Sequence, residues 1–206
     1  MITSSKTYFI LILFYSSLLF GFYFNEDSLG GAFNDFLSHS HISDKFRDNF
    51  FKTLINYDEL GHRHSPVFYI LKSILFENIS YSRIFFLHIF LLIPYFFYKS
   101  LILKFPDEKK FHLIILSSMI ILFPTFRSYS IWPDPHLLGT LFFTISIYYF
   151  LKCLNAINKI KYAILNIVFL AISAYSSPNF GVFVIYFTYE FYKIFGLKRN
   201  FFLILF

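Results

Sequence analysis

Six residues of this sequence have the types and placing that acid–base or anion chemistry needs: Glu26, Asp27, Arg63, His64, Arg127 and Asp134. Glu26-Asp27 follows directly on an apolar block that ends in Phe22-Tyr23-Phe24. A carboxylate held where such a block meets water is partly desolvated, so it binds a proton more readily and can take one from a hydroxyl. The same aspartate could instead cap a short helix beginning at Ser28, or close the block in water. Further on, Gly61-His62-Arg63-His64-Ser65-Pro66 sets three potential cations just before a helix start, whose free N–H groups favour anions. Arg63 offers a forked, permanently charged donor that suits phosphate. Equally, the cluster could meet lipid headgroups. His62 and His64 alternate without a third ligand, which makes a poor zinc site, and neither a metal nor another cofactor is expected.

Asp134 lies in Trp132-Pro133-Asp134-Pro135-His136. It stands where a helix N-cap stands before proline at the first helical position, and it could also face the cavity that Asp27 faces. Arg127 is placed to bind phosphate or to anchor a helix at headgroup level. Ser177-Pro178 repeats the capping pattern, and Glu190 with Lys193 makes an i,i+3 pair. The remaining histidines, His39, His41, His88 and His112, form no constellation. No Gly-rich phosphate loop, serine-hydrolase elbow or CxxC pair is present, and the lone Cys153 cannot make an internal disulfide.

The elements that must hold these residues are apolar. Hydrophobic residues make up 57% of the 206 and charged ones 15%, against about a quarter in a soluble domain. The apolar residues come in blocks: about 7–24, 84–103, 112–126, 136–151, 162–176 and 180–195, with a further run at 201–206. That pattern predicts an all-α, polytopic membrane bundle of six complete spans and the start of a seventh, the block ends running into interface aromatics such as Tyr129 and Trp132. The first block follows Lys6 and lacks a small-x-small cleavage site, so it reads as a retained signal anchor. With the amino terminus cytoplasmic, 11 of the 18 basic residues, from Lys6 to Arg199, fall on short inner connections, as the positive-inside rule requires. The net charge of +6 is scattered between apolar blocks and therefore implies membrane flanks, with no nucleic-acid partner.

The single transmembrane domain, residues 1–206, thus carries an outer loop at 25–80. Two helices are expected to lie on the membrane there. One runs over 44–55 with Asp44 as N-cap and Phe46, Phe50, Phe51, Leu54 and Ile55 on one face. The other begins at Ser65-Pro66, runs to about residue 76 or 78 and carries Lys72; at roughly 20 Å it is too short to cross.

This order resembles the GT-C superfamily of membrane glycosyltransferases: one span, an acidic pair, a loop with surface helices, a His-x-Pro element, then short-looped spans. Within the superfamily it is most similar to bacterial transferases of the Rgt type, kin to the protein O-mannosyltransferases and the lipid A aminoarabinose transferase. His64-Ser65-Pro66-Val67-Phe68-Tyr69-Ile70-Leu71 is similar to their His-Pro-Pro-Leu-Tyr-Tyr-Leu-Leu element. Tyr81-Ser82-Arg83-Ile84 resembles their small-residue and arginine approach to the next span. Ser130 to Leu138, running on into Tyr148-Tyr149-Phe150-Leu151-Lys152, resembles another span with its flanks.

The resemblance covers about residues 7–200. It implies transfer of a sugar from a polyprenyl-phosphate donor, as co-substrate, to a glycan, lipid or protein hydroxyl on the outer face of a bacterial inner membrane, with inversion. Carried over, Asp27 is the general base with Glu26 as its neighbour, and Arg63 and His64 neutralise the lipid phosphate. The family shows Asp-Asp or Asp-Glu where this chain has Glu26-Asp27, so either carboxylate could act. Members run to about twice this length, which implies that these residues are an N-terminal portion. The rival expectation is a non-catalytic polytopic protein, a transporter fragment or an assembly subunit. That would favour broken or charged mid-membrane segments, whereas the polar weight here lies in the outer loop.

Overall fold

The computed structural model describes residues 2–61, 64–75 and 77–197, and every regular element among them is helical. The chain begins with α1 (Ile2–Tyr23). Three short helices follow, α2 (Ala32–Asp48), α3 (Phe50–Ile55) and α4 (Val67–Leu75). Next come α5 (Ile79–Phe90), α6 (Leu92–Lys104), α7 (Lys110–Ser118) and α8 (Pro124–Ile131). The described part ends with α9 (Pro135–Asn155), α10 (Lys159–Ser176) and α11 (Phe183–Phe195).

Four described helices are long and apolar enough to cross a bilayer: Ser5–Tyr23, Ile79–Lys104, Pro135–Asn155 and Lys159–Ser176. The pair Lys110–Leu122 and Pro124–Ile131, bent by 64°, adds a fifth if it is taken as one broken span. Prolines account for both interruptions. Pro94 has no N–H to give to Phe90 and its ring crowds that carbonyl, so α5 and α6 meet at a kink at Leu91. Pro124 holds Phe123 extended (φ −68°, ψ 131°) and itself opens α8. The block expected at 180–195 divides into a 3₁₀ turn, Pro178–Val182, and the 13-residue α11. That helix is shorter than the roughly 20 residues a span usually takes. The apolar run at 201–206 lies outside the described residues.

The antiparallel hairpin of α9 and α10 is built on small and polar residues. Gly139, Ser146 and Cys153 recur every seven residues on α9, facing Ala163, Asn166, Leu170 and Ser173 of α10, all buried. Small side chains let the two backbones close up. A Cβ built on Gly139 would stand 2.7 Å from the Ser177 Cβ, so only glycine fits there. Ser173 Oγ donates to the Gly139 carbonyl at 2.7 Å, and Asn166 Nδ2 donates to the Ser146 carbonyl at 2.9 Å and hydroxyl at 2.7 Å.

The segment between α1 and α5 departs from expectation in three respects. Asp44 is no N-cap: it lies inside α2, paired with Arg47 at 2.7 Å. The helix break falls at Asn49, whose side chain accepts from Lys52 N and so caps α3. The apolar face read over 44–55 is consequently divided, with Phe46 packed in the core against Phe50 and Tyr57 while Phe51 and Ile55 are 75% and 78% exposed. On α4, Lys72 points inward against α2 and is 3% exposed. Trp132, expected at an interface, is buried between Phe33 and Phe36 of α2 and the Arg83 guanidinium.

Candidate functional site

Two polar networks meet at the end of the bundle where α1 stops and α2 begins. The first is built on Glu26. The chain leaves α1 through Asn25, in the left-handed region at φ 55°, which turns Glu26 back over the last helical turn so that its N–H bonds the Gly21 carbonyl. From there its carboxylate meets Arg127 of α8 side by side: Nε donates to Oε1 at 2.7 Å and Nη2 donates to Oε2. The same guanidinium donates to Ser17 Oγ (3.1 Å) and to the Ser17 carbonyl (3.0 Å). The forked geometry of arginine suits this two-oxygen grip. Ser28 Oγ also donates to Glu26, and Trp132 Nε1 donates to the Glu26 carbonyl. Desolvation was expected to raise a carboxyl at this position. For Glu26 the Arg127 bond outweighs it and holds the carboxyl below its usual range.

Asp27 does different work. Its Oδ1 accepts from the N–H groups of Gly30 (3.0 Å) and Ala32 (3.3 Å), and Oδ2 accepts from Phe33 N at 3.2 Å. It therefore collects the free donors at the start of α2, the capping role weighed for it above, though for a helix that begins at Ala32. The residue is partly buried, and among the described residues Oδ2 has one donor where it can take two.

The second network lies two turns further along α2, about 10 Å from the cap by helical rise. Asp134 caps α9 as expected, its Oδ1 accepting from His136 N at 2.7 Å. Its Oδ2 faces His39 Nε2 at 3.2 Å, and His39 Nδ1 lies 3.1 Å from the Tyr69 hydroxyl on α4. The His64 ring packs edge-on to His136, centroids 4.6 Å apart, and 5.7 Å from His39. His136 Nδ1 is 2.8 Å from Ser177 Oγ, so the serine read as a cap instead ties the start of α9 to the end of α10. Among the described residues no three His, Cys, Asp or Glu side chains converge as metal ligands.

Of the six residues singled out in the sequence, Glu26 and Arg127 are thus bonded to each other, Asp27 caps α2, and His64 and Asp134 share the histidine cluster. Arg63, like His62, lies outside the described residues. His39, His136, Tyr69 and Ser177 were overlooked as site residues. His39 did carry a signal: Ala32, Phe36, His39, Ser43 and Phe46 are spaced four, three, four and three apart, and all are buried. A histidine on that stripe faces inward and must be satisfied there.

Family models, curated proteins and solved structures were all compared with this chain, and none matches.

Proposed function

We propose that the chain transfers a sugar from a polyprenyl-phosphate donor to an acceptor hydroxyl at the outer face of a bacterial inner membrane, with Asp27 as the general base. In this reading the amino terminus is cytoplasmic, the α1–α5 connection lies outside, and six crossings include the bent α7–α8 pair and α11. The observation that carries it is the unequal engagement of the acid pair. Glu26 is neutralised by Arg127, while Asp27, a partly buried residue, is aimed by backbone donors and its Oδ2 accepts one N–H where it can take two.

The acceptor O–H gives its proton to that oxygen as its own oxygen bonds the anomeric carbon. The bond from that carbon to the phosphate oxygen breaks, and the electron pair leaves with the polyprenyl phosphate, inverting the centre. Arg63 and His64 neutralise the phosphate, with Asp134 fixing the cluster beside them. A groove of about 500 Å³ between α6, α8 and α9 adds support. Its lining includes Ile93, Leu101, Lys104, Phe126, Leu137 and Thr144; it gives a lipid tail largely apolar room, and Phe126 and Leu137 adjoin Arg127 and His136 in sequence.

A second reading, a non-catalytic polytopic protein, is favoured by the same bonds, since each acid also has a structural partner. Asp27→Asn separates the two. Asparagine keeps one acceptor for the N–H groups at the start of α2 but loses the other, and it cannot take the proton. Transfer from labelled polyprenyl-phosphate sugar in membranes is expected to fall about 10²-fold or more, with stability lowered by only about 1 kcal/mol. Retained transfer by the folded variant, or no transfer by the unmodified chain, would move the assignment to the second reading.

A further inference from the structure

The described residues include three arginines, and two of them meet carboxylates: Arg47 pairs with Asp44, and Arg127 with Glu26. Arg83, in the second turn of α5, has no such partner among the described residues. Its guanidinium carbon lies 3.6 Å from the centre of the Trp132 ring and 4.8 Å from that of Phe22. Rings at the ends of α8 and α1 thus hold it between them. Nε donates to the Ile131 carbonyl at 2.9 Å. Nη2 is buried and has no acceptor among the described residues. Nη1 has no bond there either, but it keeps accessible surface on a partly exposed residue. On the same two helices the Ser82 and Ser130 hydroxyls are buried without partners among the described residues. Glu26, whose carbonyl bonds the Trp132 indole, gives its carboxylate to Arg127. Two rings and one carbonyl hold a guanidinium in place without neutralising it. A cation drawn out of water is costly without a counter-charge, and buried N–H groups normally find an acceptor. Charge and donors together call for an anion.

The depth of the site narrows the choice. Arg83 stands four residues inside the candidate span Ile79–Lys104, about 6 Å along it by helical rise. Around it Ile79, Tyr81, Ile84 and Phe85 are exposed, the surface of a helix that meets lipid tails. A long cationic side chain at this depth reaches the headgroup layer, where lipids carry phosphate. We propose that Arg83 forms a phosphate-binding site at headgroup level, at the Glu26 end of the bundle, taken by the phosphate of a membrane lipid. The lipid's tails lie along the exposed face of α5, and a phosphate oxygen accepts from Nη1. Its other oxygens offer Nη2 the acceptor it lacks, as the planar fork of arginine allows. The site is separate from Arg63 and His64, to which the transferase reading gives the donor phosphate, and it does not rest on that reading.

Trp132 is the sole tryptophan and carries the guanidinium on its ring, so its emission reports neutralisation of Arg83. The test titrates the full chain in an uncharged maltoside detergent. Three ligands are compared: short-chain phosphatidylglycerol, diacylglycerol with the same chains, and inorganic phosphate. Phosphatidylglycerol is expected to change the emission saturably, with a midpoint about tenfold or more below that of inorganic phosphate. Diacylglycerol is expected to leave it unchanged. Arg83→Lys keeps the charge without the fork and should raise the phosphatidylglycerol midpoint about tenfold. Arg83→Met should abolish the response, and Lys52→Gln on α3 should preserve it. Thermal unfolding without lipid checks that each variant is folded, and Arg83→Lys carries the test if Arg83→Met is not. No response to phosphatidylglycerol would make Arg83 a clamp satisfied by its rings and carbonyl, and would overturn the proposal. So would an equal midpoint for inorganic phosphate, which makes the occupant a free anion. An unchanged midpoint in Arg83→Lys, a response that survives Arg83→Met, or one lost equally in Lys52→Gln would also overturn it.

Discussion

The end of the bundle that holds Glu26 and His39 and the seam between α9 and α10 solve the same problem by different physics. At the first, helices distant in sequence are tied by charge-assisted bonds: Glu26 to Arg127 across 101 residues and His39 to Asp134 across 95. Each bond fixes a direction as well as a distance. At the seam, small residues bring two backbones together, and aromatic rings fill the flanks, Tyr149 lying flat on Phe169 at 5.5 Å and on Tyr162 at 6.3 Å. The seam's few polar contacts run between neighbouring helices of one hairpin. Packing without charge tolerates an apolar surrounding, so it serves a span. A charged network has to be satisfied atom by atom, and it serves a place where side chains must be held at set positions.

The comparison is broken most severely at Glu26. Glu26→Gln leaves the Arg127 guanidinium, whose side chain is 12% exposed, without a counter-charge. The pair lies between the exposed limit of about 1 kcal/mol or less and the buried limit of about 3–5 kcal/mol, nearer the latter. A loss of about 2–3 kcal/mol in reversible unfolding in detergent is expected. Because Arg127 also holds Ser17, the loss should appear as looser packing of α8 on α1, read by hydrogen exchange at α8. A stability change below about 0.5 kcal/mol would put this ion pair in the class of surface contacts.

Lys72 gives the next effect and the opposite sign. Its ammonium bonds Ser40 and sits 4.0 Å over the Phe36 ring, with burial lowering its proton affinity to about 7. The docked state then holds fewer protons than the undocked one between about pH 7 and the ordinary lysine value of 10.5, so docking through this residue strengthens as pH rises across that window. Below about pH 7 the lysine is charged in both states and adds no further pH dependence. Lys72→Met should therefore add about 1–3 kcal/mol at neutral pH and remove the alkaline rise. An unchanged slope of stability against pH would show that the ammonium reaches water.

These examples mark how far the sequence could be read. Apolar blocks placed the long helices within about five residues at each end, though not the breaks at Pro94 and Pro124, and local chemistry placed the Asp134 cap and the Glu190–Lys193 pair, found at 2.9 Å. Such features depend on neighbours in the chain. What brings His39 to Asp134, or Arg127 to Glu26, is the path of six intervening helices, and no local pattern encodes it. The same holds for Trp132 and Lys72. Trp132 was read as an interface aromatic and Lys72 as part of a surface-lying helix, and each is buried because a partner from α2 covers it. The block at 180–195 is divided for a local reason: Ser177-Pro178 opens a 3₁₀ turn, Pro178–Val182, that takes up residues 180–182 of it.

Removing the seam's polar bonds has the smallest expected effect. Asn166 Nδ2 makes two bonds to Ser146, yet its Oδ1 is buried with no partner among the described residues. Asn166→Ala loses two interhelical bonds and also removes an unsatisfied acceptor, and the two changes oppose each other. Hydrogen bonds between membrane helices average about 0.6 kcal/mol, so the net loss should be about 0.5 kcal/mol or less. Asn166→Leu keeps apolar volume but presses it against a seam where Ser146 and Ser173 have no exposed surface, and should cost about 1–3 kcal/mol through overpacking. The order of the two variants decides the point. If alanine is the worse, the hairpin is held by its polar bonds after all, and the contrast with the Glu26 end disappears; if leucine is the worse, close approach of the backbones is what holds it.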